Sequence, residues 1–347
     1  MPSWPTGTMP ALVFTGPQEA QWQSIDIPRS EAGRVLIRIQ KLGICGTDVH
    51  LFTGHSSYMR VGLTTFPLVP GHEWCGEVVA VGAGVEGVQI GDRVVGEPFL
   101  PCGSCGVCRA GRLNLCPNRA ELGVRGNVPG AAAKYLSIPA ANIAVVPENV
   151  PSAHAVLAEP SVTVLHSLSV TNLQAGERVA VIGTGTLGLI AVQVASKQGC
   201  AVDAIGIDSE GLLLAKQCGA GNTFGPEEAP SDNYDVVIEA SGAAAALLLC
   251  SRIAGLGGRI AQAGITAAPS VEVNSEAVVS KGLSIHGVLG GIPHLRRALQ
   301  LISTGTIDPA LLIDAEQGWG QAGTAIAALL DGNRPRPKLI IDMTGLE

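Results

Sequence analysis

Two periodicities divide the chain. Up to about residue 150, apolar residues come in short runs that alternate with polar ones and are broken by glycine and proline, as at 34–40 (RVLIRIQ), 76–81 and 93–95. Period-two alternation with frequent turn residues predicts a compact, mainly β domain. From about residue 156 the pattern changes. Residues 178–182 (RVAVI) read as a buried strand, followed by a glycine turn and a helical run over 189–198. A second strand is predicted at 201–207 and a helix at 212–218. Further strands are predicted at 236–240, 259–263 and 283–288, with a helix at 243–254. Strands alternating with helices predict a parallel, doubly wound sheet. Residues 294–303 then predict a helix, and 338–342 a last strand that returns to the first domain. The expected fold class is α/β. Residues 9–155 form the β domain, with a cysteine-bearing lobe at about 97–120. Residues 156–292 form a Rossmann domain, and 293–347 run back to the first.

Composition narrows the classes. A chain of 347 residues with 46% hydrophobic and only 15% charged residues can bury two cores, and 45 glycines suit close helix–strand packing. The net charge of −7 argues against nucleic acid or an anionic membrane as a partner. The most apolar stretch, 179–195, contains Gly183, Gly185 and Gly188 and is shorter than the roughly 20 residues a membrane span needs, so a buried strand and helix are expected there. Residues 1–10 carry neither a cationic start nor an apolar stretch of a secretory signal, and Met9-Pro10-Ala11 reads as a natural start preceded by an extension. Cys75, Cys200, Cys218 and Cys250 are scattered and read as buried thiols. A reducing, cytoplasmic setting is expected.

Four other cysteines do not read as packing. Cys102, Cys105, Cys108 and Cys116 are spaced C-x2-C-x2-C-x7-C, which suits a closed tetrahedral thiolate cage for structural zinc. Ferredoxins open similarly and place proline after the last cysteine, as Pro117 does here, but their final gap is three residues rather than seven. A nucleic-acid zinc ribbon would want more basic surroundings than Arg109, Arg112 and Arg119, and paired disulfides would want an oxidising compartment.

The glycine turn has the form G-x-G-x-x-G: Gly183, Thr184, Gly185, Thr186, Leu187, Gly188. Such a turn after a strand lets the backbone approach a pyrophosphate at a helix N-terminus. Asp208, twenty residues on at the end of the next strand, is placed to accept hydrogen bonds from the adenine-ribose hydroxyls. A carboxylate there repels a 2′-phosphate, and 209–215 hold no arginine or lysine, so NAD is expected over NADP.

A second group of candidate ligands is dispersed. Cys45, Thr47, Asp48 and His50 lie in G-I-C-G-T-D-V-H; His72 and Glu73 lie in G-H-E; Glu159 opens an apolar helix. Cysteine, histidine and glutamate make a mixed set suited to a catalytic zinc with an open position. The spacing alone leaves core and helix-terminal roles for these residues equally open.

Taken in order, G-I-C-G-T-D-V-H, P-G-H-E, the cysteine quartet, E-P-S-V-T-V-L-H, G-T-G-T-L-G with its aspartate, and E-A-S-G resemble the zinc-dependent medium-chain dehydrogenases over the whole length from Met9. The resemblance implies a GroES-like catalytic domain, a Rossmann domain, two zinc ions per chain (one catalytic, one structural) and NAD in the cleft between the domains. It implies Cys45 and His72 as ligands of the catalytic zinc. Simple alcohol dehydrogenases place a second cysteine where this chain has Glu159, so the likeness is to the polyol, sugar, threonine and aminocyclitol branch, in which Glu73 ligates directly and Glu159 holds the metal-bound water, or the two glutamates exchange; the alternative for Glu73 is a carboxylate that orients the ligands. Asp48 steadies the ligating histidine. Thr47 takes the hydroxyl proton and passes it through the cofactor ribose to His50. Thr163 packs on the nicotinamide, and Ser241 with the backbone near Ala263 and Leu289 lines the cofactor. The loop at 51–68, with His55, Ser56, Ser57, Tyr58 and Arg60, is expected to face a polar substrate.

The expected activity is NAD-dependent oxidation of a secondary alcohol of a polyol, sugar or aminocyclitol, with threonine 3-dehydrogenase-like or simple alcohol dehydrogenase activity as the alternative. A zinc-free reductase of the same fold conflicts with the ligand set. A non-enzymatic dinucleotide-binding protein conflicts with Thr47 and His50 beside the metal. The strand near 283–288 suits pairing between subunits, and a homodimer or homotetramer is expected.

Overall fold

The computed structural model describes residues 4–346 except 267, 269, 292 and 332–335. Two sheets organise them. In the first, six strands run in the order Ile313–Gly318, Lys338–Asp342, Arg34–Ile44, Glu73–Val81, Arg93–Gly96 and Ile143–Val145, and Tyr135–Pro139 also pairs with Arg34–Ile44. Arg34–Ile44 is the hub: Lys338–Asp342, Glu73–Val81 and Tyr135–Pro139 all pair with it antiparallel. A separate hairpin, Thr8–Gly16 with Glu19–Asp26, covers one side. Phe14, Val35, Ile37, Leu51 and Leu122 fill the core under this sheet.

The second sheet is wholly parallel. Its order is Asn222–Phe224, Ala201–Ile205, Arg178–Ile182, Tyr234–Glu239, Ala254–Gln262 and Ser284–Gly287. The first strand in sequence sits in the middle, which makes the doubly wound arrangement with a crevice beside the C-terminal end of Arg178–Ile182. Helices cover both faces, so that strand reads as an unbroken apolar run, with Val179, Ala180 and Val181 fully buried.

The structure moves several boundaries. The helix expected at 189–198 runs Thr186–Lys197, because Gly185 caps it and the first turn, with Gly188 in it, is part of the glycine motif. The helix expected at 243–254 is shorter, Ala246–Ile253, and the chain passes directly from it into the Ala254–Gln262 strand. Asn222–Phe224 was not anticipated. It is a three-residue edge strand with no buried residue, so it leaves no periodicity to read.

The helix Ala158–Val170 packs on the Thr186–Lys197 and Leu295–Ser303 helices and touches the Arg93–Gly96 strand of the first sheet. Its N-terminal turn therefore lies where the two sheets meet. Among the described residues, no helix is long and apolar enough to cross a membrane.

Candidate functional site

Three sequence-distant donors converge at that junction. Cys45 ends the central strand of the first sheet and caps the short helix Gly46–Phe52. Across the ladder Gly43 pairs with Glu73, and His72 precedes Glu73. A Cβ on Gly43 would lie 2.6 Å from Glu73 Oε2, so only glycine admits the carboxylate there. The donor atoms of Cys45, His72 and Glu73 lie within 4.8 Å of one another. Asp48, fully buried, holds the two segments together. Its carboxylate accepts the Cys45 amide (2.9 Å) and the Gly71 amide (3.3 Å) and lies 3.4 Å from His72 Nδ1. That contact lacks hydrogen-bond alignment, and Nδ1 has no other partner. Burial disfavours a charge on His72, but the Asp48 and Cys45 side chains outweigh it and raise the imidazole well above its ordinary pKa.

Glu73 has a partner from the far end of the chain. Lys338 Nζ lies 2.5 Å from Glu73 Oε2, and both side chains are buried. Burial works against the ammonium, yet Glu73, Cys45 and Asp48 keep the Lys338 pKa above its ordinary value. Glu159 stands outside the 4.8 Å group but within reach of its charges. Burial pushes it up to about 7, with His72 and Lys338 opposing that rise and Glu73 and Asp48 adding to it. A further carboxylate, Glu97, follows the Arg93–Gly96 strand. Its amide donates to Asn142 O and its carbonyl accepts Asn142 Nδ2, while both carboxylate oxygens are buried without a partner. Burial first, then Glu159, raises it well above the carboxylate range.

This donor set fits a divalent ion. Sulfur, nitrogen and oxygen donors lie within 4.8 Å of one another, and both buried carboxylate oxygens of nearby Glu97 lack a partner, so the group carries more acid than its hydrogen bonds satisfy. Thr47 and His50 lie three residues apart on the Gly46–Phe52 helix and share a face. Thr47 is half-buried, with its Oγ1 3.9 Å from Cys45 Sγ, and His50 is exposed.

The cysteine quartet forms a separate cluster. Its Sγ atoms approach at 3.5 Å (Cys105–Cys108 and Cys102–Cys116) and 3.9 Å (Cys102–Cys108 and Cys105–Cys116). A tetrahedron with zinc–sulfur bonds of about 2.3 Å has edges of about 3.8 Å, so the cluster fits the ion.

The glycine turn has the geometry of a phosphate cradle. Gly183 has φ +102° and packs against the Ser241 backbone, where a Cβ would come within 2.9 Å of the amide. A Cβ on Gly188 would lie 1.9 Å from Gly183 O, whereas Gly185 faces open space at the start of the Thr186–Lys197 helix, with Leu187 in the first turn. Asp208 caps the next helix, accepting the Glu210 and Gly211 amides.

The remaining expected cofactor contacts sit around this crevice. Ser241 donates its hydroxyl to Glu239 Oε1 (2.6 Å) and accepts the Ala243 amide, so it shapes the turn. The Ala263 amide bonds Glu239 O. The Leu289 carbonyl is taken twice, by His166 Nδ1 (2.8 Å) and Asn114 Nδ2 (3.2 Å). A Cβ on Gly290 would lie 3.1 Å from Thr163 Oγ1. In the 51–68 loop, Ser56 is buried as a helix cap and Tyr58 donates to Glu121 Oε1 (3.3 Å), which also holds Arg119 at 2.7 Å. Glu97, Asn114, Glu121 and Lys338 were not singled out from the sequence.

Comparison with known proteins gives the same architecture. Residues 31–148 match the alcohol dehydrogenase GroES-like domain and 186–304 the zinc-binding dehydrogenase domain. An L-threonine 3-dehydrogenase from Pectobacterium carotovorum is 36% identical over 295 residues, 81% of this chain and 84% of the relative. A zinc-binding dehydrogenase from Sinorhizobium meliloti 1021, solved with NADP, superposes with TM-score 0.88 at 28% identity over 97% of this chain and 99% of that one. An alcohol dehydrogenase from Escherichia coli CFT073, solved with NADH, gives 0.87 at 27% identity over 96% and 99%. A chain that matches both domain models in order, and is 36% identical to such a relative over most of its length, belongs to the zinc-dependent medium-chain dehydrogenases.

Proposed function

We propose that the protein oxidises a secondary alcohol that carries further polar groups, with NAD as acceptor and zinc at the Cys45–His72–Glu73 site. The carrying observation is the convergence of those three donors within 4.8 Å beside Glu159 and Thr47. When bound, zinc polarises the substrate hydroxyl and lowers its pKa, and the nicotinamide ring takes the hydride.

The chain's own residues do the rest. Cys45, His72 and Glu73 hold the ion, and Glu159 supports or exchanges with Glu73. Lys338 offsets part of the carboxylate charge and fixes Glu73, while Asp48 fixes His72. Thr47 accepts the hydroxyl proton and hands it on towards His50, whose exposure lets it reach solvent. Gly185 and the start of the Thr186–Lys197 helix receive the pyrophosphate, and Asp208 the adenine ribose.

The carboxylates of Glu159 and Glu97 near the site favour a substrate with hydrogen-bond donors over an alkanol. The likeness to L-threonine 3-dehydrogenases supports testing a β-hydroxy amino acid as well as the polyols, sugars and aminocyclitols as the substrate. A homodimer or homotetramer remains the proposed assembly.

The test is a panel of L-threonine, sugar alcohols, aminocyclitols and simple alkanols followed by NADH absorbance, with zinc counted per chain. Turnover of a polar secondary alcohol by protein holding zinc at both sites is expected. Protein with full cage zinc and no further zinc after metal loading refutes the reading.

A further inference from the structure

We propose that Asn114 is a positioning residue for the nicotinamide half of the cofactor site, through which the cysteine cage holds the 288–291 loop in place. This rests on the reading of that loop as nicotinamide-facing.

Asn114 sits two residues before Cys116 in the one-turn helix Leu113–Leu115, and it is buried. Its position is fixed by the cage. Cys116 is fully buried, accepts the Cys102 amide at 3.4 Å and lies 3.5 Å from Cys102 Sγ. From that anchor Asn114 Nδ2 reaches out of the lobe to Leu289 O, at 3.2 Å, in the segment that follows the outermost strand of the parallel sheet.

The other lone pair of the same carbonyl takes His166 Nδ1, from the helix Ala158–Val170, which carries Glu159 in its first turn and Thr163 further on. A carbonyl can only accept, so His166 carries its proton on Nδ1. Leu289 is thereby clamped from two sides, one in each domain.

A second contact repeats the clamp two residues on. Phe99, three residues before Cys102, lies against Gly291 so closely that a Cβ there would come within 2.4 Å of the ring, and the Arg119 guanidinium lies 5.6 Å from the centre of the same ring. Phe99 before the quartet and Asn114 within it thus both touch one short loop. Between the two contacts Gly290 faces Thr163 Oγ1.

This loop lies at the carboxyl end of the parallel strands, where the nicotinamide half of a dinucleotide lies when its pyrophosphate is at Gly185. A loop held in one conformation binds with its full intrinsic affinity. A loop that visits that conformation only part of the time binds more weakly by that fraction. Removing the Asn114 donor leaves the His166 bond in place and frees the lobe side.

The experiment compares two ligands on the full-length, zinc-loaded protein. NADH carries the nicotinamide and ADP-ribose lacks it, while both occupy the pyrophosphate cradle. For Asn114→Ala, and for the isosteric Asn114→Asp that has no donor, the NADH dissociation constant should rise about five- to thirty-fold while ADP-ribose binding changes less than about two-fold. Zinc per chain should equal that of the parent, which shows the cage intact. Equal weakening of both ligands assigns Asn114 a general structural role and overturns the proposal, as does no change in either. Gly185→Asp separates this from the cofactor reading. It should abolish binding of both ligands, and if it leaves both intact the dinucleotide site itself is misassigned and the proposal falls with it.

Discussion

Lys338→Met removes the ammonium paired with the buried Glu73 carboxylate, and its cost can be worked from the structure. The ammonium lies 2.5 Å from Glu73 Oε2 and 3.3 Å from Ile44 O, with both charged side chains almost fully buried. At an effective dielectric constant near 20 the attraction is about 7 kcal/mol, against which the desolvation of both ions must be set. What a single substitution exposes is the unpaired Glu73 carboxylate, and the loss expected is about 3–5 kcal/mol. The double variant Lys338→Met/Glu73→Gln removes both charges and should recover most of that loss. Urea unfolding followed by tryptophan fluorescence reads the right domain, since Trp4, Trp22, Trp74 and Trp319 lie in the segments that build or flank the first sheet. The comparison is made after a chelator has emptied the Cys45 site, with zinc counted in each variant, so that no bound ion stands in for Lys338 beside Glu73. A single variant within about 1 kcal/mol of the parent, or a double variant no more stable than the single, refutes the reasoning.

Gly188→Ala should all but abolish NADH binding, because its methyl group would lie 1.9 Å from Gly183 O, and should cost roughly 1–3 kcal/mol of stability; fluorescence titration showing parental affinity contradicts this. Asp208→Ala removes the cap on Ser209–Gln217, at about 1 kcal/mol, and should erode the preference for NAD over NADP in parallel kinetic assays; an unchanged preference removes the ribose role. Thr47→Val should lose most turnover at unchanged NADH affinity, and parental turnover removes it from the proton path. Cys116→Ser should lose the cage zinc and lower the melting temperature while the Cys45 site keeps its metal; a chain still holding the full complement speaks against the cage.

What the sequence discloses depends on how far apart the interacting residues lie along it. The cage needs four cysteines within fifteen residues, and the phosphate cradle six residues between a strand and a helix, so both can be seen in one window. Glu73 and Lys338 are 265 residues apart, Asn114 and Leu289 are 175, and Tyr58 and Glu121 are 63. No local pattern ties such partners: Glu73, Leu289 and Tyr58 stand out through their own motifs, but Lys338, Asn114 and Glu121 do not. Two weak signals existed. Glu97 follows directly on the apolar run Arg93–Gly96, and Lys338 opens the apolar strand Lys338–Asp342. A charge at the inner end of a buried strand has to be paired or put to use. Ser241 shows the opposite limit: the sequence picks out the turn it occupies but not that its hydroxyl is given to Glu239.

The order in which the ribosome makes the chain gives the Glu73–Lys338 contact a further consequence. Glu73 leaves the ribosome 265 residues before Lys338, which at about 5–20 residues per second is a wait of roughly 13–50 s. Through that interval the hub strand lacks Lys338–Asp342 along one edge, and the acids gathered behind it have no lysine. Early capture of a metal ion by Cys45, His72 and Glu73 would take place in a half-built pocket. The last strand to be synthesised is therefore the one that closes this edge of the sheet and brings Lys338 to Glu73.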